Sequence, residues 1–370
     1  MRLRTLRSAR LLVALPAILG SLSAACRRSD GPVVVGAIGP WTRDYALSTR
    51  RGIELAAAEV NRAGGIGGRR VVVDFRDDSA DASRAVRIAG EFAADKHVAA
   101  VIGPLNSGPL VAAARVVDGT LPAVAPTAAS PELSGISPWV FRLIINYSVF
   151  GITLGRNALR LGRRAAVLYD NNAFGRGGAD AFRRNFSGQV VAADPIWPGD
   201  PDVRAFLEFY RRQGVDLVYV AGLTPSGLAV LREARRQGFR GAVLGTDSWT
   251  SMTAEPGGAP NGVFIATRFS VLEPRPEVAA FNAAFRQRWR AEPDGFAAFG
   301  YDALSIVSRA MREAGPDRAA VRDWLAALRR GPGYRGVTGR IRFSPEGEPE
   351  GSRFVLLQVK GGKLALAGGG

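Results

Sequence analysis

Histidine and cysteine are almost missing from this chain: His97 and Cys26 are the single representatives in 370 residues. No Cys/His cluster can therefore assemble a zinc site, and no Ser-His pairing around a nucleophile is apparent. His97 stands at the entrance of the apolar stretch VAAVI, where an edge or core role is expected. No G-x-S-x-G elbow occurs. GGKL at 361–364 lacks both the upstream glycine spacing and the Ser/Thr after lysine that a P-loop requires. These absences argue against hydrolase and metal chemistry: no catalytic residue, no metal and no cofactor is expected.

Lysine is scarce as well. Of 49 basic residues only Lys96, Lys360 and Lys363 are lysines, a bias we read as codon usage. The net charge of +16 is spread along the chain without a block of five or six. No zinc-finger spacing, RNP-like aromatic motif or basic amphipathic helix focuses it, so a solvated basic surface and no nucleic-acid partner are expected. The composition, 47% apolar and 22% charged, is that of a globular protein. A length of 370 residues exceeds what one compact core usually serves, which predicts two lobes.

Arg2, Arg4, Arg7 and Arg10 precede the apolar run LLVALPAILG, which is followed by SLSAAC. A charged start, a short apolar core and small residues form a secretory signal, expected over residues 1–25. The run contains Pro16 and is about half the length that a membrane-spanning helix needs. Cys26, after Ser23-Ala24-Ala25, resembles the lipobox of bacterial lipoproteins, where the thiol is acylated and becomes the new N-terminus. Ser23 stands where Leu is usual, with Leu22 one place earlier; ordinary cleavage after Ala25, leaving a free thiol, is the alternative. A single cysteine in an exported chain forms no internal disulfide. Removal of residues 1–25 deletes four arginines and leaves +12.

After the spacer RRSDGP the pattern turns regular. VVVGAI (33–38) reads as a buried strand, and Ile53, Ala56, Ala57 and Val60 form one helical face. Glycines in AGGIGGRR (63–70) stop that helix, and VVVDF (71–75) is the next strand. Asp81 caps a helix whose face is Ala85, Ile88, Ala89 and Phe92. VAAVIG (98–103), a helix from Ser107 and LPAVAP (121–126) complete a βαβαβαβ run. The alternation then restarts with strands at 165–169, 189–193, 216–220 and 242–245, and helices near 176–186, 201–213 and 226–238. Two such units predict two α/β lobes with parallel sheets and ligand-facing loops at the strands' carboxyl ends. FRLIINY (141–147), ATRFS (266–270) and TGRIRF (338–343) read as crossings between them, with a helical stretch, 277–329, returning to the first.

VLYDNNAFGRGGADAF (167–182) poses a choice between a phosphate cradle and a loop at a cleft. Gly175 and Gly177 begin a G-x-G-x-x-G pattern, but its third position is Asp180, whose carboxylate repels a pyrophosphate at a helix start. No nucleotide is implied. Asp170, Asn171 and Asn172 favour turns, so the loop is expected to shape the mouth of a cleft.

Several stretches together carry a family resemblance: GAIGP with RGIELAAAEVNRAGGIGGRR, VIGPLNSG, APTAASPEL, VLYDNNAFGRG, LVYVAG, LGTD, and YDAL with GVTGRIRFSPEG. In that order, from about Val33 to Lys363, the chain resembles type I periplasmic binding proteins of the leucine/isoleucine/valine-binding branch. The resemblance implies two Rossmann-like lobes, three crossovers and a solute bound by hinge closure, then handed to an ABC permease. The implied division is 33–142 with 271–337 for lobe 1, 143–270 with 338–363 for lobe 2, 26–32 as spacer and 364–370 as tail.

Residue by residue, Ser107 matches the family's carboxylate-binding Ser, and Thr127 a position that offers its backbone carbonyl. Ala129 stands where a Thr contacts the head group, a hydroxyl that Ser130 or Thr127 could replace. Asp247 matches an ammonium-binding Glu, one methylene shorter. Tyr45 matches an aromatic wall, Phe174 a pocket Tyr without its hydroxyl, and Leu223 another Tyr position. Trp41 and Arg43 are further candidates, as a stacking face and a carboxylate clamp, or else as rim residues.

The expected function is an exported receptor, periplasmic or at the cell surface, monomeric, anchored through Cys26 and binding an amino acid or amino-acid-like solute for an ABC importer. The alternatives are a sensory module of the same fold with a separate signalling partner, or a receptor for aromatic acids, amides or other solutes.

Overall fold

The computed structural model describes residues 31–199, 201–254, 260–350 and 354–367. The expected signal at 1–25 and Cys26 lie outside the described residues. The run VVVGAIG forms β1 (Val33–Gly39), followed by α1 (Asp44–Arg62), which buries Ile53, Ala56 and Val60 as its spacing predicts. β2 (Val71–Asp77) leads to α2 (Ala82–Ala94), where the Asp81 side chain accepts the Arg84 N–H at 2.8 Å. β3 (Val98–Ile102), α3 (Ser107–Val117), β4 (Ala123–Ala125) and β5 (Val140–Arg142) complete a parallel sheet of order β2-β1-β3-β4-β5.

The chain then crosses to α4 (Tyr147–Ala158) and a second alternation: β6 (Arg164–Asp170), α5 (Ala173–Asn185), β7 (Gln189–Ile196), α6 (Arg204–Arg212), β8 (Leu217–Ala221), α7 (Thr224–Arg236) and β9 (Ala242–Gly245). A 3₁₀ stretch (Asp247–Ala254) and β10 (Phe264–Thr267) follow. Then come α8 (Pro276–Trp289), α9 (Gly295–Ala314), α10 (Arg318–Ala327) and the hairpin β11 (Tyr334–Gly336) and β12 (Gly339–Ile341). β13 (Val355–Lys360) and β14 (Lys363–Leu366) return to the second sheet, whose order is β14-β13-β10-β9-β8-β6-β7. Its core is parallel, but β13 and β14 add antiparallel, which the sequence pattern does not predict.

Two expectations change. His97 is exposed in the turn before β3, its N–H donating to Asp95 Oδ1 at 2.9 Å; it has no core or edge role, because the buried strand begins only at Val98. The connectors also carry strands: VFR pairs as β5, and FIAT pairs as β10 just before Arg268.

The helical stretch packs on the first sheet's side. α1 and α9 cross so closely that a Cβ on Gly52 would lie 1.9 Å from the Ala297 carbonyl, and one on Gly300 2.2 Å from the Thr49 carbonyl. Tyr301 Oη donates to Glu59 Oε2 at 2.5 Å across the same contact. Arg318, opening α10, donates to the carbonyls of Val98 (2.9 Å) and Ala93 (2.8 Å). One apolar core runs from α1 and α9 through Leu143, Ile144 and Ile145 to α4 and α5; the opposite faces of the two sheets have cores of their own.

The three crossings are bound to one another. Buried Arg142, in the first, pairs with Glu348, just after the third, its Nε lying 2.9 Å from Oε1. Asn146 Nδ2 donates to the other Glu348 oxygen at 3.0 Å. Asp302 on α9 accepts from the Val337 and Thr338 N–H groups at 2.8 and 2.7 Å, where the third crossing starts. Arg275, after the second crossing, donates to the Val337 carbonyl.

The helix crossing yields a direct test. Gly52→Ala or Gly300→Ala inserts a methyl against backbone that no rotamer change can move, so each is expected to cost at least about 2 kcal/mol. Urea denaturation of each variant against the parent measures it.

Candidate functional site

Both sheets turn their carboxyl ends toward a shared cleft of about 660 Å³. Loops there carry ligand groups because strand ends leave backbone and short polar side chains free of the sheet ladder. From lobe 1 the cleft receives the starts of α1 and α3 and the segment after β4; from lobe 2, the starts of α5 and α7 and the segment after β9.

Tyr45 is one wall. Its hydroxyl donates to Asn106 Oδ1 at 2.8 Å and its ring lies 5.7 Å from Phe296; burial pushes its pKa up. That bond occupies the Asn106 side chain, which stands at the N-cap of α3 without capping it. The N–H groups of Ser107 and Gly108 consequently have no partner among the described residues, and both residues line the cleft. Ser107 Oγ accepts the Ser130 N–H at 3.2 Å, which leaves its proton free to donate. A hydroxyl and two N–H groups at a helix start form a set of donors that an anion can accept from. Thr127 also lines the cleft, but its hydroxyl donates to the Leu105 carbonyl at 2.8 Å.

Ala129, Ser130 and Trp41 are not among the lining residues. Ala129 is buried, its carbonyl accepting the Tyr147 N–H at 3.2 Å. Ser130 is fully buried; its hydroxyl caps the Glu132 N–H at 3.3 Å and its carbonyl accepts Arg142 Nη1 at 2.7 Å. Trp41 turns inward, donating to the Arg76 carbonyl at 2.9 Å and meeting Phe75 edge-on at 5.1 Å. Arg43 does line the cleft, on its exposed rim.

On the lobe 2 side, Phe174 lines the cleft and packs edge-on against Tyr147 at 5.5 Å. Leu223 lines it too, its N–H donating to Asp170 Oδ2 at 2.9 Å. The other Asp170 oxygen accepts the Ser226 hydroxyl at 2.6 Å, and burial pushes this carboxyl's pKa up. Asp247 lines the cleft but already has a partner: its Oδ2 accepts Arg268 Nη1 at 2.6 Å, and both side chains are buried. The guanidinium lies 4.8 Å from the Tyr147 ring and 4.1 Å from that of Phe150. Burial pulls its pKa down, but Asp247 together with the neighbouring Tyr147 and Tyr219 holds it above the ordinary value. The sequence reading missed Asn106, Asp170 and Arg268. For Arg268 the signal was a single charge inside an otherwise uncharged crossing.

The glycine-rich loop serves packing. α5 begins at Ala173, so Asp180 sits two turns inside it, exposed and 3.6 Å from Arg183, rather than at the helix start. The Asn172 side chain caps the start, accepting the Gly175 N–H at 2.9 Å. A Cβ on Gly175 would lie 2.0 Å from the Asp170 carbonyl, and one on Gly177 2.9 Å from Pro131 Cδ of the opposite lobe.

Behind the rim, Ser79 and Ala80 adopt φ of 51° and 59°, and Ala80 lines the cleft. Asp78 Oδ1 accepts the Ala80 N–H at 2.9 Å, while its buried Oδ2 has no partner among the described residues. Burial pushes this carboxyl's pKa up to about 6. Among the described residues no group of three or more His, Cys, Asp or Glu side chains could hold a metal ion. No described helix is long and apolar enough to cross a membrane.

Two α/β lobes facing one cleft, with a helix start open to it, have the arrangement of a protein that encloses a small solute. A family model described as "Periplasmic binding protein" matches residues 32–363. The chain belongs to that family, and within it to the type I, leucine/isoleucine/valine-binding kind. An amino acid binding protein of Pseudomonas aeruginosa is 26% identical over 343 residues, 88% of this chain and 90% of its own length. The Leu/Ile/Val-binding protein BraC3 of Rhizobium johnstonii is 26% identical over 355 residues, 90% of this chain and 94% of its own. A solved ABC transporter substrate-binding protein of Desulfitobacterium hafniense, in complex with Leu, is 26% identical with a TM-score of 0.79. That match covers 91% of this chain and all of that one. The family is one of exported solute-binding receptors of ABC transporters, not an enzyme family.

Two tests follow from this geometry. The folded-state pKa of Asp78 lies above its unfolded value, so the folded protein holds more protons between pH ~4 and ~6 and loses stability as pH rises through that window, by about 3 kcal/mol at most. Asp78→Asn is expected to flatten this part of the stability profile and raise the melting temperature at pH 7.5, as calorimetry across pH would read. Gly177→Val is expected to hold the lobes apart at Pro131, weakening solute affinity about tenfold with little change in the unliganded melting temperature; calorimetric titration and a thermal scan check both halves.

Proposed function

We propose that this protein is a monomeric receptor that closes its lobes on one small carboxylate-bearing, amino-acid-like solute and delivers it, unchanged, to the permease of an ABC importer. The single observation that carries the reading is the start of α3, where the N–H groups of Ser107 and Gly108 have no partner among the described residues and the Ser107 hydroxyl, which accepts only the Ser130 N–H, keeps its proton free to donate. The names of the relatives support the solute class, since they are an amino acid binding protein, a Leu/Ile/Val-binding protein and a complex with Leu. The proposed site comprises Ser107, Tyr45, Thr127, Phe174, Leu223 and Asp247, with Arg43 at its rim; Ala129 and Ser130 support it from behind. It acts by binding alone, with no catalysis and no cofactor.

In this reading residues 1–25 are removed on export and Cys26 carries the lipid that keeps the receptor at a membrane. The hinge separates 33–142 with 271–337 from 143–270 with 338–363.

A thermal-shift panel of amino acids, aromatic acids, amides and nucleotides tests the reading, because a ligand selective for the folded state raises the melting temperature. Carboxylate-bearing solutes are expected to shift it, and Ser107→Ala to weaken their binding about tenfold without unfolding the lobes. Shifts confined to nucleotides or neutral amides would refute it, as would a Ser107→Ala variant that binds like the parent.

A further inference from the structure

We propose that Arg268 makes this cleft select solutes presenting an uncharged donor, such as a hydroxyl, where an amino acid presents its ammonium. The inference rests on the receptor reading above, with the solute's carboxylate at the start of α3, and concerns the opposite, Asp247 end.

An ammonium needs a carboxylate with charge to spare. Of the carboxylates lining the cleft, Asp44 lies on the exposed rim. Asp170 has both oxygens engaged, by the Leu223 N–H and the Ser226 hydroxyl. Asp247 remains, and its Oδ2 already holds Arg268 Nη1 at 2.6 Å. Arg268 is buried, and its Nε and Nη2 have no hydrogen-bond partner among the described residues. Asp247 is therefore the counter-ion that keeps a desolvated guanidinium in the protein, and its charge is committed inward.

The charges behind the cleft are already matched. Arg142, close enough to Arg268 for the two to repel, is balanced by Glu348, and Arg268 by Asp247. An ammonium placed on the remaining Asp247 oxygen would share one carboxylate with the Arg268 guanidinium, and like charges that close in a water-poor site repel. A hydroxyl donates to the same oxygen and adds no charge. With Phe174, Leu223 and Phe296 as apolar walls, the favoured solute is a 2-hydroxy acid with an apolar or aromatic tail. Arg268 acts through Asp247 and is a positioning residue rather than a ligand contact.

Paired probes sharing one carbon skeleton isolate the ammonium: L-leucine against (S)-2-hydroxy-4-methylpentanoate, and L-phenylalanine against (S)-2-hydroxy-3-phenylpropanoate, titrated calorimetrically into the purified protein. The expected result is that in at least one pair the hydroxy acid binds at least tenfold more tightly than its amino acid. Arg268→Lys, which keeps the charge, is expected to retain that order, and Arg268→Met, which frees Asp247, to abolish or invert it. The parent protein alone decides the matter if Arg268→Met does not fold. Amino acids binding as tightly as their hydroxy partners, or more tightly, overturn the inference and leave the receptor reading standing. Binding of none of the four probes, when the thermal-shift panel also finds no carboxylate, overturns both.

Discussion

Arg142 is the cation on which the geometry of the cleft rests. Its guanidinium, buried at the end of β5, donates to the carbonyls of Ala128 and Ser130 and pairs with Glu348, 206 residues further along the chain. Burial pulls its pKa below the ordinary arginine value, with Glu348 acting the other way. A buried pair of this kind is poor evidence of net stability, because desolvation offsets most of the attraction. Its effect is positional: the loop after β4 that backs the cleft, the first crossing and the segment after the third share one set of bonds. Any opening of the lobes must turn about that knot or break it.

The second buried cation, Arg268, stands beside the first and does for the lobe 2 side what Arg142 does for lobe 1. One orders a loop through carbonyls; the other commits a carboxylate. Both are arginines in a chain with three lysines. At these two places composition and function coincide, since a planar guanidinium can lie against the Tyr147 and Phe150 rings while one nitrogen reaches Asp247.

What the sequence made legible follows from how local each cause is. The β-branched runs at Val33 and Val71, the helical face of α2 and the Asp81 cap depend on neighbours within a turn or two, and they could be read directly. β5 and β10 are three and four residues long, too short to stand out from the crossings they belong to. α4 escaped because Gly151 and Gly155 argue against a helix in isolation; in the fold they let it lie close on α5. At the site, residues at strand ends were found by resemblance, whereas Asn106, Asp170 and Arg268 act through partners from 21 to 61 residues away, which no local pattern encodes. Trp41 was misplaced for the same reason, its carbonyl acceptor lying on β2.

Each half of the molecule is completed by a distant part of the chain. The first lobe is closed by α9, whose Tyr301 meets Glu59 across 242 residues, and the second sheet is finished only by β13 and β14 near the end of the chain. Contacts of such separation carry a large loop-closure cost before they bring any return. Neither half can be completed before nearly the whole chain is available, so the order of synthesis cannot be the order of assembly. A chain cut short before β13 would lack the last two strands of the second sheet, and one cut before α9 would lack the helix that covers the first.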